Sequence, residues 1–215
     1  MNNNKLKAKG VLFDLDGTLV DSRPAYEEAA RLAFDRYSLG PLADKYAFEI
    51  PRRLENNLPL YFEGKKFPLK FYLNSYYSIS EFKTKLISDV SKTLNVLSNT
   101  MKLAIVTMRS TPKKNIIKQL RRFKIDSYFD AVITALDTKK PKPSPEALLR
   151  CVDMLSLDKA DCIIVGDSIN DVRAGKVAGI RTVAVLSGIF SFQELLKENP
   201  NLILQNINYL PDFIE

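Results

Sequence analysis

Short, continuously apolar runs alternate with helical patterns through most of this chain. The runs in VLFD (11–14), KLAIVT (102–107), AVI (131–133), DCIIVGD (161–167) and RTVAVL (181–186) have strand length. Their unbroken apolar character suits strands buried on both faces rather than one. Between them, apolar residues recur at helical spacing. One helix passes through Leu94 and Leu97, one opens at Thr111-Pro112, one at Ser144-Pro145, one spans roughly Asn170 to Val177, and one lies around Phe192 to Glu198. Strand and helix in turn predict an α/β fold: a Rossmann-like parallel sheet core flanked by helices.

Residues 22 to 88 follow a different rhythm. Ser22-Arg23-Pro24 has the form of an N-cap followed by proline in the first turn, and AYEEAARLAFDRY continues with helical spacing to Gly40-Pro41. From Leu42 to about Ser88 the pattern stays helical, is broken at Pro51, Pro59 and Pro68, and is rich in Tyr and Phe. No alternating strand pattern stands out. The expected organisation is a core of residues 1–21 and 89–215 with a small all-helical domain, 22–88, inserted into it.

Composition narrows the class. With 215 residues, 46% hydrophobic and 27% charged, the chain has an ordinary globular composition. Its apolar runs fall far short of a membrane span. The N-terminal MNNNKLKAKG has no apolar signal core, so a cytoplasmic location is expected. Two cysteines, Cys151 and Cys162, fall in a predicted helix and a predicted strand and read as small buried hydrophobes rather than a disulfide or zinc framework.

The absence of histidine has wider consequences. It removes Ser-His-Asp and Cys-His catalysis, phosphohistidine chemistry and His-ligated metals. Acid–base work then falls to carboxylates, lysine, tyrosine or metal-bound water. A net charge of +7 suits an anionic substrate. Lys and Arg are otherwise scattered, and the cluster Lys113, Lys114, Lys118, Arg121, Arg122 and Lys124 reads as a solvated helix face. No nucleic-acid or membrane-binding motif accompanies it.

The chemistry sits at the carboxyl ends of the predicted strands, where parallel sheets gather ligands. The first strand delivers Asp14 and Asp16, and residues two apart on an extended segment face the same side. Such a like-charged pair calls for a cation. KLAIVT ends in Thr107, the loop Lys140-Pro141-Lys142-Pro143 follows the next strand, and DCIIVGDSIND brings Asp167 and Asp171. Taken singly, each has an ordinary explanation. DGT can be a turn, Thr107 a strand-end hydroxyl, Lys142 a solvated lysine, and Ser168-x-x-Asp171 a helix capping box. Together they supply what a divalent cation and a phosphoryl group require.

These residues resemble the motifs of the haloacid dehalogenase superfamily of phosphohydrolases. DxDGT matches Asp14-Leu15-Asp16-Gly17-Thr18, the Ser/Thr motif matches Thr107, the lysine motif matches Lys142, and GDSxxD matches Gly166-Asp167-Ser168 and Asp171. An insert between the first two motifs is similar to the helical cap of the phosphoglycolate phosphatase-like branch. The resemblance implies a Mg²⁺-dependent phosphatase acting on a small phosphorylated metabolite. Asp14 would be the nucleophile and Asp16 the general acid and base. Lys142 would offset the charge of Asp14 and, with Thr107, hold the phosphoryl oxygens; Met108 and Thr18 join that phosphate site. Mg²⁺ would take Asp14, Asp16 through its backbone carbonyl, and Asp167, with Asp171 a ligand or an outer partner.

An acid at position 16 separates the chain from the dehalogenases, which need no leaving-group proton. Lysines at 45, 65 and 66 leave a phosphonate-cleaving variant open. The alternatives to the phosphatase are a hexose-phosphate mutase, a pyrophosphatase or nucleotidase of the same superfamily and, outside enzymes, a receiver-like phosphoacceptor module, which the DxDGT pair, the late GDSxxD and the insert disfavour. The resemblance gives the cap the substrate-specificity contacts, with Arg52 and Arg53 as candidates for a carboxylate or second phosphate. The expected protein is a monomer or homodimer.

Overall fold

The computed structural model describes residues 5–215. They form two compact units, one of residues 5–20 and 86–215 and one of Asp21–Lys85.

The larger unit is built on a six-stranded sheet, ordered Leu202–Leu204, Arg181–Val185, Cys162–Gly166, Gly10–Phe13, Lys102–Val106, Ala131–Ile133. Every neighbouring pair is parallel. Side chains alternate between two faces. Val11, Phe13, Leu103, Ile105, Ile163 and Val165 enter one apolar cluster, with Leu94 and Leu97 from helix Val90–Ser98 and Ile116 and Leu120 from helix Lys113–Arg122. Leu12, Ala104, Val106, Cys162 and Ile164 enter the other, with Leu148, Cys151 and Val152 from helix Glu146–Leu155 and Ala174 and Ala178 from helix Ile169–Ala178. Burial on both faces explains the continuously apolar strands. The edge strand Leu202–Leu204, only three residues and half-buried at its start, lay below what its sequence signals.

The strand order reverses direction on either side of Gly10–Phe13, so the switch point of the sheet lies between this strand and Cys162–Gly166. The register sets Phe13 opposite both Ile105 and Val165. Residues leaving the three central strands, Asp14, Thr107 and Asp167, therefore emerge at one carboxyl edge, the place where open α/β sheets bind ligands.

The smaller unit holds an aromatic core. Ala25, Ala29, Ala30 and Ala33 of helix Arg23–Arg36 share this cluster with Tyr72 and Tyr76 of helix Leu69–Lys83. Pro68 stands at the N-cap of the second helix and Pro51 inside the short helix Glu49–Glu55. The expectation of helices alone missed a two-residue hairpin, Tyr61–Phe62 with Lys65–Lys66. Its turn residues Glu63 and Gly64 both have positive φ, 49° and 77°, the conformation that matches the twist of paired strands. Phe62 then packs against Phe34, Tyr46 and Phe67. Arg53 is tied into this unit: it ion-pairs with Glu49, donates to the Pro59 carbonyl and stacks over the Phe62 ring.

Candidate active site

Asp14 follows the central strand directly, its backbone N–H bonded to the Val165 carbonyl at 2.9 Å. Its carboxylate is buried and accepts from the Lys142 ammonium at 2.6 Å. Lys142 Nζ also donates to Asp171 Oδ1 at 2.5 Å and to the Val106 carbonyl at 3.0 Å. All three ammonium donors are thus engaged. The loop that delivers Lys142 is held by Glu146, which opens the following helix and accepts from the backbone N–H groups of Lys139 and Lys140. The Lys142–Pro143 peptide bond is cis.

Asp171 serves two structures at once. Its Oδ2 accepts from the Ser168 backbone N–H at 3.2 Å while the Ser168 hydroxyl accepts from the N–H groups of Asn170 and Asp171, a complete capping box for helix Ile169–Ala178. Its Oδ1 holds Lys142. The capping explanation and the site explanation of Ser168-x-x-Asp171 are both true of one side chain.

Asp14, Asp167 and Asp171 each place a carboxylate oxygen within 4.8 Å of the others. Asp167 accepts from the Thr18 hydroxyl at 3.3 Å. It is also crowded by backbone: a Cβ on Gly188 would lie 1.7 Å from Asp167 Oδ2, and one on Gly17, where φ is +76°, would lie 2.4 Å from it. Only glycine fits at either position. The Gly17 carbonyl accepts from the Ser187 hydroxyl at 2.6 Å, which fixes the turn carrying Asp16 to the loop after strand Arg181–Val185.

Asp16 does not place its carboxylate in this acidic group. It meets Arg109, whose Nε donates to Oδ2 at 2.7 Å and whose second terminal nitrogen donates to Oδ1 at 2.5 Å. The two acids of the DxD segment are therefore held by different cations. Arg109 is itself buried, and its remaining terminal nitrogen donates to the buried Gln119 Oε1 at 2.8 Å. Thr107 is buried, and its hydroxyl accepts from the Arg109 N–H at 3.3 Å, with half-buried Met108 between them. Arg109, Gln119, Ser187 and Gly188 were not singled out from sequence. Arg109 had a readable signal, a charge two residues beyond a strand-ending threonine; its burial and its partner did not.

The electrostatics follow from burial. Loss of solvent pushes the Asp14 carboxyl up, to about 7; Lys142 pulls it down, and Asp171 and Asp16 push it up again. For Lys142, burial alone would lower the pKa. The charges of Asp14 and Asp171 overturn that and hold it above the ordinary lysine range, so it is a permanent ammonium. Among the described contacts, Asp14 and Asp171 share the Lys142 ammonium and Asp16 takes Arg109, while Asp14, Asp167 and Asp171 crowd together as acids. A set of three carboxylates offering only oxygen donors suits a hard divalent cation.

Residues 11–185 match the family model for the haloacid dehalogenase-like hydrolases. The chain belongs to that family. It is 30% identical over 207 residues to a pyrophosphatase PpaX of Bacillus velezensis, covering 95% of each chain. It is likewise 30% identical over 237 residues to a phosphoglycolate phosphatase of Salmonella paratyphi A, covering 96% of this chain and 93% of the relative. Among solved structures, a haloacid dehalogenase-like hydrolase from Streptococcus pneumoniae superposes with a TM-score of 0.74 at 20% identity, covering 99% of each chain, and shows the same fold. No described helix is long and apolar enough to cross a membrane.

The other sequence expectations lie apart from this centre. Lys114, Lys118, Arg121, Arg122 and Lys124 are exposed on or just after helix Lys113–Arg122, with Arg121 paired to Asp126 and Arg122 over the Phe123 ring. Thr111 does not cap that helix through its side chain. The cysteines are buried and free.

Proposed function

We propose that this hydrolase cleaves a small phosphomonoester in two steps through an aspartyl-phosphate on Asp14. That the enzyme is a phosphatase rests on its family and its phosphatase relatives. The observation that carries the two-step reading is the state of Asp14: a buried carboxylate at the switch point of the sheet, one oxygen held by Lys142 and beside two further acids.

In the first step a carboxylate oxygen of Asp14 attacks phosphorus and the ester P–O bond breaks, its oxygen leaving with a proton from Asp16. In the second, Asp16 accepts a proton from the water that attacks the aspartyl-phosphate, and the bond to Asp14 breaks to release inorganic phosphate. Lys142 orients Asp14 and, with Thr107, Met108 and Thr18, lines the place of the phosphoryl oxygens. Mg²⁺ would be held by Asp14, the Asp16 backbone carbonyl and Asp167, and would neutralise phosphoryl charge there. Asp171, with one oxygen committed to Lys142 and the other to Ser168, serves as an outer partner.

The substrate class is a small phosphate ester of the phosphoglycolate type. Pyrophosphate stands beside it, because relatives of equal identity carry both names. The test is phosphate release from a panel of phosphoglycolate, pyrophosphate, nucleotides and sugar phosphates, with Mg²⁺ and with EDTA. The expected result is metal-dependent release without a bisphosphate activator, and Asp14→Asn lacking both turnover and the acid-stable, alkali-labile phosphoenzyme. Turnover in Asp14→Asn near the wild-type rate would remove the nucleophile assignment.

A further inference from the structure

We infer that Arg109 is a positioning residue that sets the acid–base work of Asp16, anchored for that purpose by Gln119. The inference rests on the function proposed above and adds a residue to it. Arg109 engages both carboxylate oxygens of Asp16 in a fork, at 2.7 and 2.5 Å. A bidentate guanidinium fixes the plane of a carboxylate as well as its place, which a single ammonium does not.

The fork is built from three directions. Gln119, on helix Lys113–Arg122, is buried and accepts from the third guanidinium nitrogen at 2.8 Å. The Arg109 N–H donates to the Thr107 hydroxyl at 3.3 Å, and its carbonyl accepts from the Ala135 N–H at 3.1 Å. Position, plane and backbone are thus specified before any substrate arrives. A surface arginine paired by chance has none of these supports. A buried glutamine spent on a guanidinium also has a cost in apolar packing that a purely local ion pair does not require.

A group that transfers a proton must lie within hydrogen-bond reach of the leaving oxygen and then of a water, so the orientation of Asp16 is itself a catalytic variable. Removing Arg109 leaves the carboxylate in place on the chain but takes away the two-point contact that sets its plane. The consequence should be greatest where the leaving group most needs a proton.

The test is a double-mutant cycle read with two esters, p-nitrophenyl phosphate, whose leaving group is good, and an alkyl phosphate, whose leaving group is poor. Arg109→Met should lower kcat for the alkyl ester roughly 10- to 100-fold and for the aryl ester several-fold less, a fraction of the 10²–10⁴ a general acid supplies. Arg109→Met combined with Asp16→Asn should be no slower than Asp16→Asn alone. Gln119→Leu, which touches neither acid, should show the same ester selectivity in weaker form, and Arg109→Lys should restore part of the loss.

An equal fall for both esters, or additive effects with Asp16→Asn, would overturn the inference. A rise in KM without change in kcat would overturn it too, and would place Arg109 on the phosphoryl group instead. If the wild type releases no phosphate from any ester, it is the proposed function that fails. If Asp16→Asn is selective between esters while Arg109→Met is not, the proposed function stands and this inference alone is lost.

Discussion

A single lysine nitrogen joins three parts of this site, and its removal has a calculable consequence. Lys142 Nζ ties the segment after one strand to Asp14 on a second and to Asp171 at the head of a helix. Replacing it with methionine keeps most of the volume and leaves two buried carboxylates without their cation. Breaking a buried pair in this way costs about 3–5 kcal/mol. The sign of its pH dependence follows. The Asp14 pKa is already raised above its unfolded value, to about 7, with Lys142 as the main influence pulling it down. Without Lys142 it rises further, so the folded variant binds more protons than the unfolded chain at mildly acidic pH, and stability is lost as pH rises. Urea unfolding of Lys142→Met in metal-free buffer should show the larger deficit at pH 8 and a smaller one at pH 5. A deficit independent of pH would assign the effect to packing. The two cysteines offer a second check on burial: the thiol pKa is pushed up to about 12 at Cys151 and about 11 at Cys162, chiefly by burial. Neither should react with a disulfide reagent at pH 8 on the timescale of minutes, and both should on unfolding.

At the scale of elements, the helix Ile169–Ala178 begins with the capping box that also shapes the site, and the two roles can be separated. Ser168→Ala removes the hydroxyl that caps two N–H groups and should cost about 1 kcal/mol. Asp171 keeps its contact with Lys142 in that variant, so turnover should fall by less than in Asp171→Asn, which loses the charge opposite Lys142 and leaves one acceptor oxygen for two donors. Thermal melts and kcat on the same two variants decide it. The same helix shows how legible the fold was. Continuous apolar strands, proline near helix starts and acids at strand ends were all visible, because a sheet buried on both faces writes its pattern into each strand. What escaped depends on tertiary placement. The hairpin at Glu63-Gly64 carries two-residue strands too short for any alternation, and strand Leu202–Leu204 is little longer. Asp14 and Asp16 read as one pair from their spacing, yet they separate toward Lys142 and Arg109 because the cations come from loops some 90 and 130 residues further along. Their division is a property of the sheet order rather than of the DxD segment.

The whole molecule carries +7, while the centre of the larger unit carries the opposite sign. Asp14 and Asp171 share Lys142, Asp16 pairs with Arg109, and Asp14, Asp167 and Asp171 crowd within 4.8 Å. If Mg²⁺ occupies this cluster as proposed, it relieves that crowding, and it should then act as a folding ligand as well as a cofactor. At a hundredfold excess over its dissociation constant a ligand that binds only the folded state adds about 2.7 kcal/mol. For a chain of this size that corresponds to a rise in Tm of roughly 5–10 °C. The smaller unit, Asp21–Lys85, rests on its own aromatic cluster and has no share in the acids. If calorimetry resolves two transitions, only one should move. NaCl at matched ionic strength should not reproduce the shift, because screening acts on exposed charges and these are buried. EDTA should reverse it. Asp167→Asn, which removes a charged oxygen from the cluster, should abolish most of the rise, whereas Asp16→Asn, whose carboxylate faces Arg109, should keep it. An equal Mg²⁺ shift in wild type and Asp167→Asn would place the ion elsewhere on the protein and leave the acidic cluster without its assigned occupant.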